Sequence, residues 1–334
     1  MVDLEQVQRT VVCTSDFEEL QEASSEWDQQ YVQLGAGQFD GRLELTQVGS
    51  RHIFREVWGK KLRYQGTAPA GSFGFALRLD KGSDANWVGQ TADSDAVIFQ
   101  APGQEADLVS SEYWDSLVLS ISEEEVFSTA MALTGGGDIS SAFYGVLALK
   151  PRVAQNLRQY GHEFLRQSQL KCSTNPAEIA RLSEQFTRLF LWELAQALET
   201  HSYVVEPSRY SRLVKQASDM VSGDLTGTIG LLEICSELEV SLRTLHYAFH
   251  DVTDMSPAAW LRRIRLNKVH NRLKHASADE ILVKQAALEN GFVHAGHFSK
   301  QYLQHFGCLP SETLCSSRNH ASHSFVSISS NQNT

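Results

Sequence analysis

The sequence predicts an α+β protein of two domains, an amino-terminal β-barrel or sandwich backed by helices and an all-α carboxy-terminal domain. Three observations carry this. Apolar side chains alternate with period two between residues 40 and 122, and they recur at helical spacing after Pro151. From Arg209 onward the chain reads only as helix and turn, and the pattern short helix, turn, polar-faced helix occurs twice. At 334 residues there is enough chain for two separate cores.

The strands come first. "GSFGFALRLD" places Phe73, Phe75, Leu77 and Leu79 on one face, and "GRLELTQV", "DAVIFQ" and "DSLVLSIS" repeat the alternation between turn-forming "APAGS" and "KGSD". Helices come next. Pro151 opens one with Val153, Leu157, Tyr160 and Phe164 on a stripe. "NPAEIARLSEQFTRLFLWELAQALE" carries a wider one through Ile179, Leu182, Phe186, Leu189 and Phe190. Packing on the barrel is the first reading of that stripe, with a dimer seam along one edge compatible with it.

The all-α region holds two candidate helix-turn-helix units. In "IGLLEICSELEVSLRTLHYAFHDV", Leu232, Cys235 and Leu238 mark a short helix. Ser241 then caps a second one that turns Leu242, Leu245 and Phe249 inward and Arg243, Thr244, His246, Tyr247 and His250 outward. In "LVKQAALENGFVHAGHFSKQYLQHFGC", a short helix packs through Val283, Ala286 and Ala287 and ends at Gly291. A second begins near Ala295 with Phe298, Tyr302 and Phe306 inward, Leu303 extending that stripe. His297, Lys300, Gln301 and Gln304 gather on its other side. Between the units, "SPAAWLRRIRLNKVHNRLKHAS" reads as one helix of about 18 residues, capped by Ser256 with Pro257 at its first position, long enough to hold the units about one DNA turn apart. Trp260, Leu261, Ile264 and Val269 form its buried stripe, and Arg262, Arg263, Arg265 and Lys268 point elsewhere.

His294, His297, His305 and Cys308 have metal-like spacing, but the helix argues against one ion. His297 and His305 lie about 80° and roughly 12 Å apart on it, too far for two ligands at about 2.0 Å. Charge is uneven along the chain: 16 Lys and Arg face 29 Asp and Glu up to Pro207, and 13 face 11 beyond it, with nine of the twelve histidines. The carboxy-terminal half is thus the one suited to an anionic partner. No apolar run approaches the roughly 20 residues that span a bilayer. The acidic start "MVDLEQVQRTVVCTSDF" predicts no signal peptide, and five dispersed cysteines without a C-x-x-C pair suit reduced thiols in a cytoplasm.

Residues 208 to 315, ending in "GFVHAGHFSKQYLQHFGCLPSE", resemble the AraC/XylS family of transcription regulators, whose tail runs G-F-x4-H-F-S-x2-F-x3-F-G-x2-P-S; Tyr302 replaces a Phe. "GQFDGRLEL", "IFREVWGKKLRYQG" and "VLSISEEEV" extend the likeness upstream, toward regulators of ethanolamine and other amine catabolism in that family. The resemblance implies an effector-sensing, cupin-like amino-terminal barrel and a homodimeric activator that binds double-stranded promoter DNA and recruits RNA polymerase. It assigns Arg243, Thr244, His246 and Tyr247 of the first unit, and His294, Ala295, Gly296, His297, Ser299 and Lys300 of the second, to DNA. Ala295 and Gly296 lack side chains that often read bases, so the second unit is expected to dock more than it reads. Glu239 stands where the family has a turn glycine. A left-handed Glu costs on the order of 1–2 kcal/mol, so this turn is expected to be distorted.

The implied domains are 1–200 for sensing and dimerisation, with the barrel at about 35–125 and helices at about 126–200. A linker at 201–208, a DNA-binding domain at 209–315 and a disordered tail at 316–334 complete the chain. Effector-lining candidates are Glu44, Glu56, Trp58, Phe73, Phe75 and Trp87, with either carboxylate able to neutralise an amine. The amine-regulator likeness further implies an amine or amino alcohol, and adenosylcobalamin by resemblance only. The alternative is a cupin-type enzyme or an inert dimerisation barrel. An oxygenase site needs converging histidines, and His52 is the only one before residue 162, so no enzyme and no metal are expected.

Overall fold

A computed structural model describes residues 7–24, 27–134, 145–170, 176–198, 208–224, 227, 229–275 and 282–320. Strands begin well before residue 35: β1 (Val7–Thr14) and β2 (Asp28–Gln33) flank helix α1 (Phe17–Ala23), which Asp16 caps by accepting the Glu18 amide at 3.0 Å. The chain continues through β3 (Gly41–Val48), β4 (Arg51–Trp58), β5 (Leu62–Thr67), β6 (Ser72–Arg78), β7 (Ala85–Trp87), β8 (Gln90–Ala92), β9 (Ala96–Gln100), β10 (Glu105–Val109) and β11 (Trp114–Ser122). Helix α2 (Glu123–Thr134) precedes one more short strand, β12 (Gly145–Ala148), and helices α3 (Pro151–Leu170) and α4 (Pro176–Leu198).

Two antiparallel sheets face each other, in the orders β1-β3-β4-β11-β6-β9-β12 and β2-β5-β10-β7-β8. Period two sends alternate residues of the larger sheet into different cores. Phe54, Trp58, Ile98 and Trp114 meet the smaller sheet's Tyr31, Tyr64, Trp87 and Leu108. Ile53, Phe73, Phe75, Leu77, Phe99, Leu117 and Leu119 meet the helices, chiefly Leu157, Phe164, Phe186 and Phe190. Both faces of this sheet are therefore buried. The stripe of α4 packs on it, while Leu189 and Trp192 stay exposed along one edge.

The second domain comprises α5 (Arg209–Gly223), α6 (Leu231–Glu237), α7 (Leu242–Thr253), α8 (Pro257–Lys274), α9 (Val283–Glu289), α10 (Ala295–Phe306) and α11 (Pro310–His320). The linker expected at 201–208 lies outside the described residues except Ser208, whose hydroxyl caps α5 by accepting the Ser211 amide at 3.1 Å. The tail expected from residue 316 is overturned in part. Helix α11 runs to His320, started by Pro310 and by Glu312 accepting the Leu309 amide at 2.6 Å; residues 321–334 lie outside the described residues. No described helix is long and apolar enough to cross a membrane.

Ser241 and Ser256 cap α7 and α8 as their sequence contexts suggest, and Phe298, Tyr302 and Phe306 are buried together. Three leucines depart from expectation. Leu232, Leu242 and Leu303 are exposed, because Ile234 and Cys235 supply the inward face of α6, Leu242 sits at the open first position of α7, and His305 takes a buried place on α10. At Glu239 the turn is not distorted. The residue takes the left-handed conformation at φ 50°, and Val240 still donates to the Cys235 carbonyl at 3.0 Å. In the second unit Gly291 takes the equivalent φ, 83°, where a Cβ would lie 2.8 Å from the Gly227 carbonyl oxygen. Glu239→Gly should therefore stabilise the domain by about 1 kcal/mol in urea unfolding; an unchanged or lower midpoint would show that Glu239 carries no strain.

Candidate nucleic-acid interface and internal cavity

The second helix of each unit offers one uncovered face. On α7, Arg243, His246 and Tyr247 are exposed and Thr244 is half-buried, while Leu245, Ala248 and Phe249 are buried against the Trp260 side of α8. Arg243 lies over the Tyr247 ring at 5.4 Å and donates to its hydroxyl at 3.0 Å, so the two form one unit of charge and hydrogen-bonding capacity. On α10, His294, Ala295, Gly296, His297 and Lys300 are exposed and Ser299 is half-buried, its hydroxyl returned to the Ala295 carbonyl at 3.0 Å. The first turn of α10 is thus bare backbone around Ala295 and Gly296, with open space beyond the helix's own backbone where a Gly296 side chain would stand. His297 and His305 point to opposite environments, one exposed and one buried.

The arginines and lysine along α8 face inward tasks. Arg265 donates to the Ile229 carbonyl at 2.7 Å, and Lys268 donates to the Val221, Ser222 and Asp224 carbonyls at 2.6, 3.2 and 3.1 Å. Those carbonyls end α5, where unpaired acceptors and the negative helix end favour a cation. Arg263 donates to the Leu34 carbonyl of the β-domain. Of the four basic residues that the sequence places off the buried stripe, only Arg262 is exposed.

The two domains meet at Gln33, which sequence reasoning missed. Its backbone amide donates to Asn267 Oδ1 at 2.9 Å, and Asn267 Nδ2 donates back to its carbonyl at 2.9 Å. Its side-chain amide donates to the Gly35, Gly37 and His305 carbonyls at 2.9, 2.8 and 2.9 Å. His305 Nε2 donates to the Gln33 carbonyl at 3.0 Å, and its Nδ1 lies 3.4 Å from Arg263. Burial, with Arg263 alongside, pushes the His305 imidazole down to about 3, so near neutral pH it serves as an uncharged donor and acceptor. Gly37 donates to the Gln304 and His305 carbonyls, and Gly307 ends α10 at φ 76° with a Cβ position 2.8 Å from Gln38. The carboxy-terminal end of α10 is held by the β-domain; its amino-terminal turn is free of it.

Between the sheets lies a cavity of about 60 Å³ lined by Trp27, Phe54, Glu56, Trp58, Tyr64, Trp87 and Trp114, among others. Of the sequence candidates, Glu56, Trp58 and Trp87 line it. Phe75 touches its wall, but its ring packs on Phe99 at 5.5 Å and Phe190 at 5.9 Å on the helix side. Phe73 and Glu44 are corrections. Strand alternation puts Phe73 against Phe127 in the helix-facing core, and Glu44 on the far face of β3, where Arg42 holds it at 2.6 Å. Tyr31 was also missed: its hydroxyl donates to Glu56 at 2.7 Å from the facing sheet. Burial pushes the Glu56 carboxyl up to about 7, although the Trp58 indole and the Tyr31 hydroxyl favour its charge. So small a cavity has no room for adenosylcobalamin.

A helix-turn-helix domain model matches residues 234–315. The XylDLEGF operon transcriptional activator 3 of Pseudomonas putida is 26% identical over 134 residues, 40% of this chain and 40% of that protein. The HTH-type transcriptional activator RhaS of Escherichia fergusonii is 34% identical over 79 residues, 24% of this chain and 27% of its own. The crystal structure of a probable AraC family transcriptional regulator from Rhodopseudomonas palustris is 31% identical, covering 32% of this chain and 97% of that one, with a TM-score of 0.29. The chain thus spans well under half the length of either curated relative.

Glu56 has a direct consequence for stability. A carboxyl whose folded pKa rises from 4.5 to about 7 binds more protons folded than unfolded. Its neutral form stabilises the fold fully below pH 4.5, and this contribution is lost as pH climbs through about 7, amounting to about 3 kcal/mol. Glu56→Gln should match the parent near pH 4.5 and exceed it near pH 8 in chemical unfolding; parallel pH profiles for the two proteins would contradict the buried carboxyl.

Proposed function

We propose that the chain is a transcription regulator of the AraC/XylS type, a cytoplasmic, promoter-binding activator whose β-domain senses a small molecule; the helix-turn-helix match over residues 234–315 and the likeness to transcriptional activators support this reading. The observation that carries the reading is the pair of second helices, α7 and α10, each bare on one polar face and set on opposite ends of α8. Eighteen residues of α8 make a rod of about 27 Å. That length suits units entering neighbouring major grooves about one turn, roughly 34 Å, apart. In this reading α7 reads bases through Arg243, Thr244, His246 and Tyr247. Helix α10 docks its bare first turn on the backbone, with Lys300 and His297 beside phosphate. Promoter DNA and RNA polymerase are the macromolecular partners, and the exposed Leu189–Trp192 edge of α4 supports a homodimer.

The effector is assigned to the cavity between the sheets, and β2 supplies a route outward. Its inward face carries Gln29 at the cavity, Tyr31 on Glu56 and Gln33 on α8 and α10, two residues or about 6.6 Å apart in turn. A ligand that displaces Tyr31 from Glu56 would bias the Gln33 contacts and so the seating of α10. The cupin-like label for the barrel belongs to this reading as well.

Selection of random duplex DNA by the full chain should enrich one asymmetric sequence with two half-sites about one turn apart; no enrichment would remove the reading. Arg243→Ala should weaken binding to the enriched site by about 1–3 kcal/mol and relax its base preference, leaving non-specific binding nearly unchanged. Gln33→Ala should speed amide exchange at Gly37 and along α8 without altering exchange at Phe99 in the other core. Equal exchange in parent and variant would detach Gln33 from the coupling.

A further inference from the structure

The walls of the internal cavity bear on the chemistry of the ligand, given the proposal that this cavity is the effector site. They carry more hydrogen-bond donors than they use. Trp58 Nε1, Trp87 Nε1 and the Tyr64 hydroxyl belong to residues more than nine-tenths buried, line the cavity, and complete no hydrogen bond among the described residues. Trp58 Nε1 lies toward Glu56 and the Tyr64 hydroxyl toward Gln100 without closing a bond. Six uncharged side chains are buried in this state; three share this one space, while Ser120, Thr187 and Trp260 do not line it. A donor buried without a partner is costly, so three together call for an acceptor.

Strand register explains the clustering. Tyr31, Tyr64, Leu108 and Trp87 form one row across β2, β5, β10 and β7 of the smaller sheet. Tyr64 and Trp87 flank Leu108 in that row, and all four are buried against the larger sheet. There Glu56 sits between Leu43 of β3 and Ser116 of β11. The space of about 60 Å³ is the bulk share of roughly two waters at about 30 Å³ each, so an occupant has about four heavy atoms.

Charge and donor count select among occupants of that size. No lysine, arginine or histidine lines the cavity, so an anion would meet Glu56 without a positive partner. An ammonium would neutralise Glu56, but it brings only further N–H donors to walls whose own donors are unused. Water brings protons along with its lone pairs. A carbonyl oxygen has two lone pairs and no proton. Its alkyl substituents suit the Trp58 and Trp114 rings, stacked with centroids 5.7 Å apart.

We propose that this cavity takes a small uncharged carbonyl compound with no proton donor of its own, whose oxygen accepts from Trp87 Nε1 and the Tyr64 hydroxyl. Tyr31, next to Tyr64 in the row, is the donor for which the same oxygen competes with Glu56. A neutral Glu56 tolerates that oxygen; the ionised carboxylate repels its lone pairs and keeps Tyr31. The titratable groups facing Glu56 are Tyr31 and Tyr64, both pushed up by burial and neutral near pH 7, and Leu43 and Ser116 do not titrate there. Burial sets the Glu56 carboxyl at about 7, so affinity falls as pH rises through that value.

Acetone, 2-propanol, acetate and isopropylammonium match in heavy atoms and differ in donors, acceptors and charge. Each would be titrated into the full chain at constant ionic strength. Proton–nitrogen correlation spectra would follow the indole Nε1–H signals of its six tryptophans, with Trp87→Phe assigning one of them. Acetone is expected to shift the Trp87 signal downfield to saturation, to leave the Trp260 signal in place, and to bind at least tenfold tighter than either ion. Trp87→Phe and Tyr64→Phe, which keep the rings, should each weaken acetone by about three- to tenfold with unchanged circular dichroism. Affinity should be about tenfold lower at pH 8 than at pH 6, and Glu56→Gln should remove that dependence. The proposal is overturned if acetone gives no saturable shift, the donors then being met by water alone. It is also overturned if 2-propanol or either ion binds as tightly, if affinity rises with pH, or if both phenylalanine variants bind acetone like the parent. None of these results touches the effector site itself. That site is judged separately by Ala76→Leu, which fills the cavity: a promoter response in cells equal to the parent's would remove it.

Discussion

The arrangement depends on satisfying the hydrogen bonds of β2 where it meets the helical domain. Gln33, Asn267 and His305 are all buried, and a buried amide or imidazole left without partners costs on the order of 1–3 kcal/mol. The reciprocal Gln33–Asn267 pair sets where α8 lies along β2, and the contacts of His305 and Gly37 set the far end of α10. Two residues back along β2, Tyr31 reaches the Glu56 carboxyl at the cavity. A strand of six residues thus ties the interior of one domain to the geometry of the other.

Helix α10 divides its length between two tasks. Its last turns belong to the junction and its first turn is bare, with Ala295 and Gly296 presenting backbone rather than side chains. The neighbouring charges are divided in the same spirit. Arg263, Arg265 and Lys268 look like a basic stripe in sequence, but each donates to a backbone carbonyl of the protein itself. The exposed polar face of α7 therefore depends on a short set of side chains, with Arg243 braced on Tyr247.

Much of this was legible from periodicity. The helix starts at Ser241 and Ser256, the inward triad Phe298, Tyr302 and Phe306, and the outward Arg243 and Lys300 all come from caps and 100° steps. The two-faced burial of the larger sheet was half legible. Phe73 and Phe75 announced a shared face, but the sequence cannot say whether that face meets a cavity or a helix layer. Glu44 failed for the same reason, being one residue out of phase with Leu43 and Leu45. β1 was missed because its edge position leaves it half exposed, with no clean alternation. The junction was invisible because Gln33, Asn267 and His305 have meaning only as partners across more than 230 residues.

The Gln33–Asn267 pair also guards against misassembly. β2 is the outermost strand of its sheet, hydrogen-bonded to β5 on one side only. Asn267 occupies the donor and acceptor of Gln33 much as a neighbouring strand would, so the side chain of a helix closes part of an open edge. Edges left open template pairing with other chains. A β-domain cut from its helical partner would carry that edge uncovered, and self-association of such a fragment would report the missing helix rather than a native dimer contact.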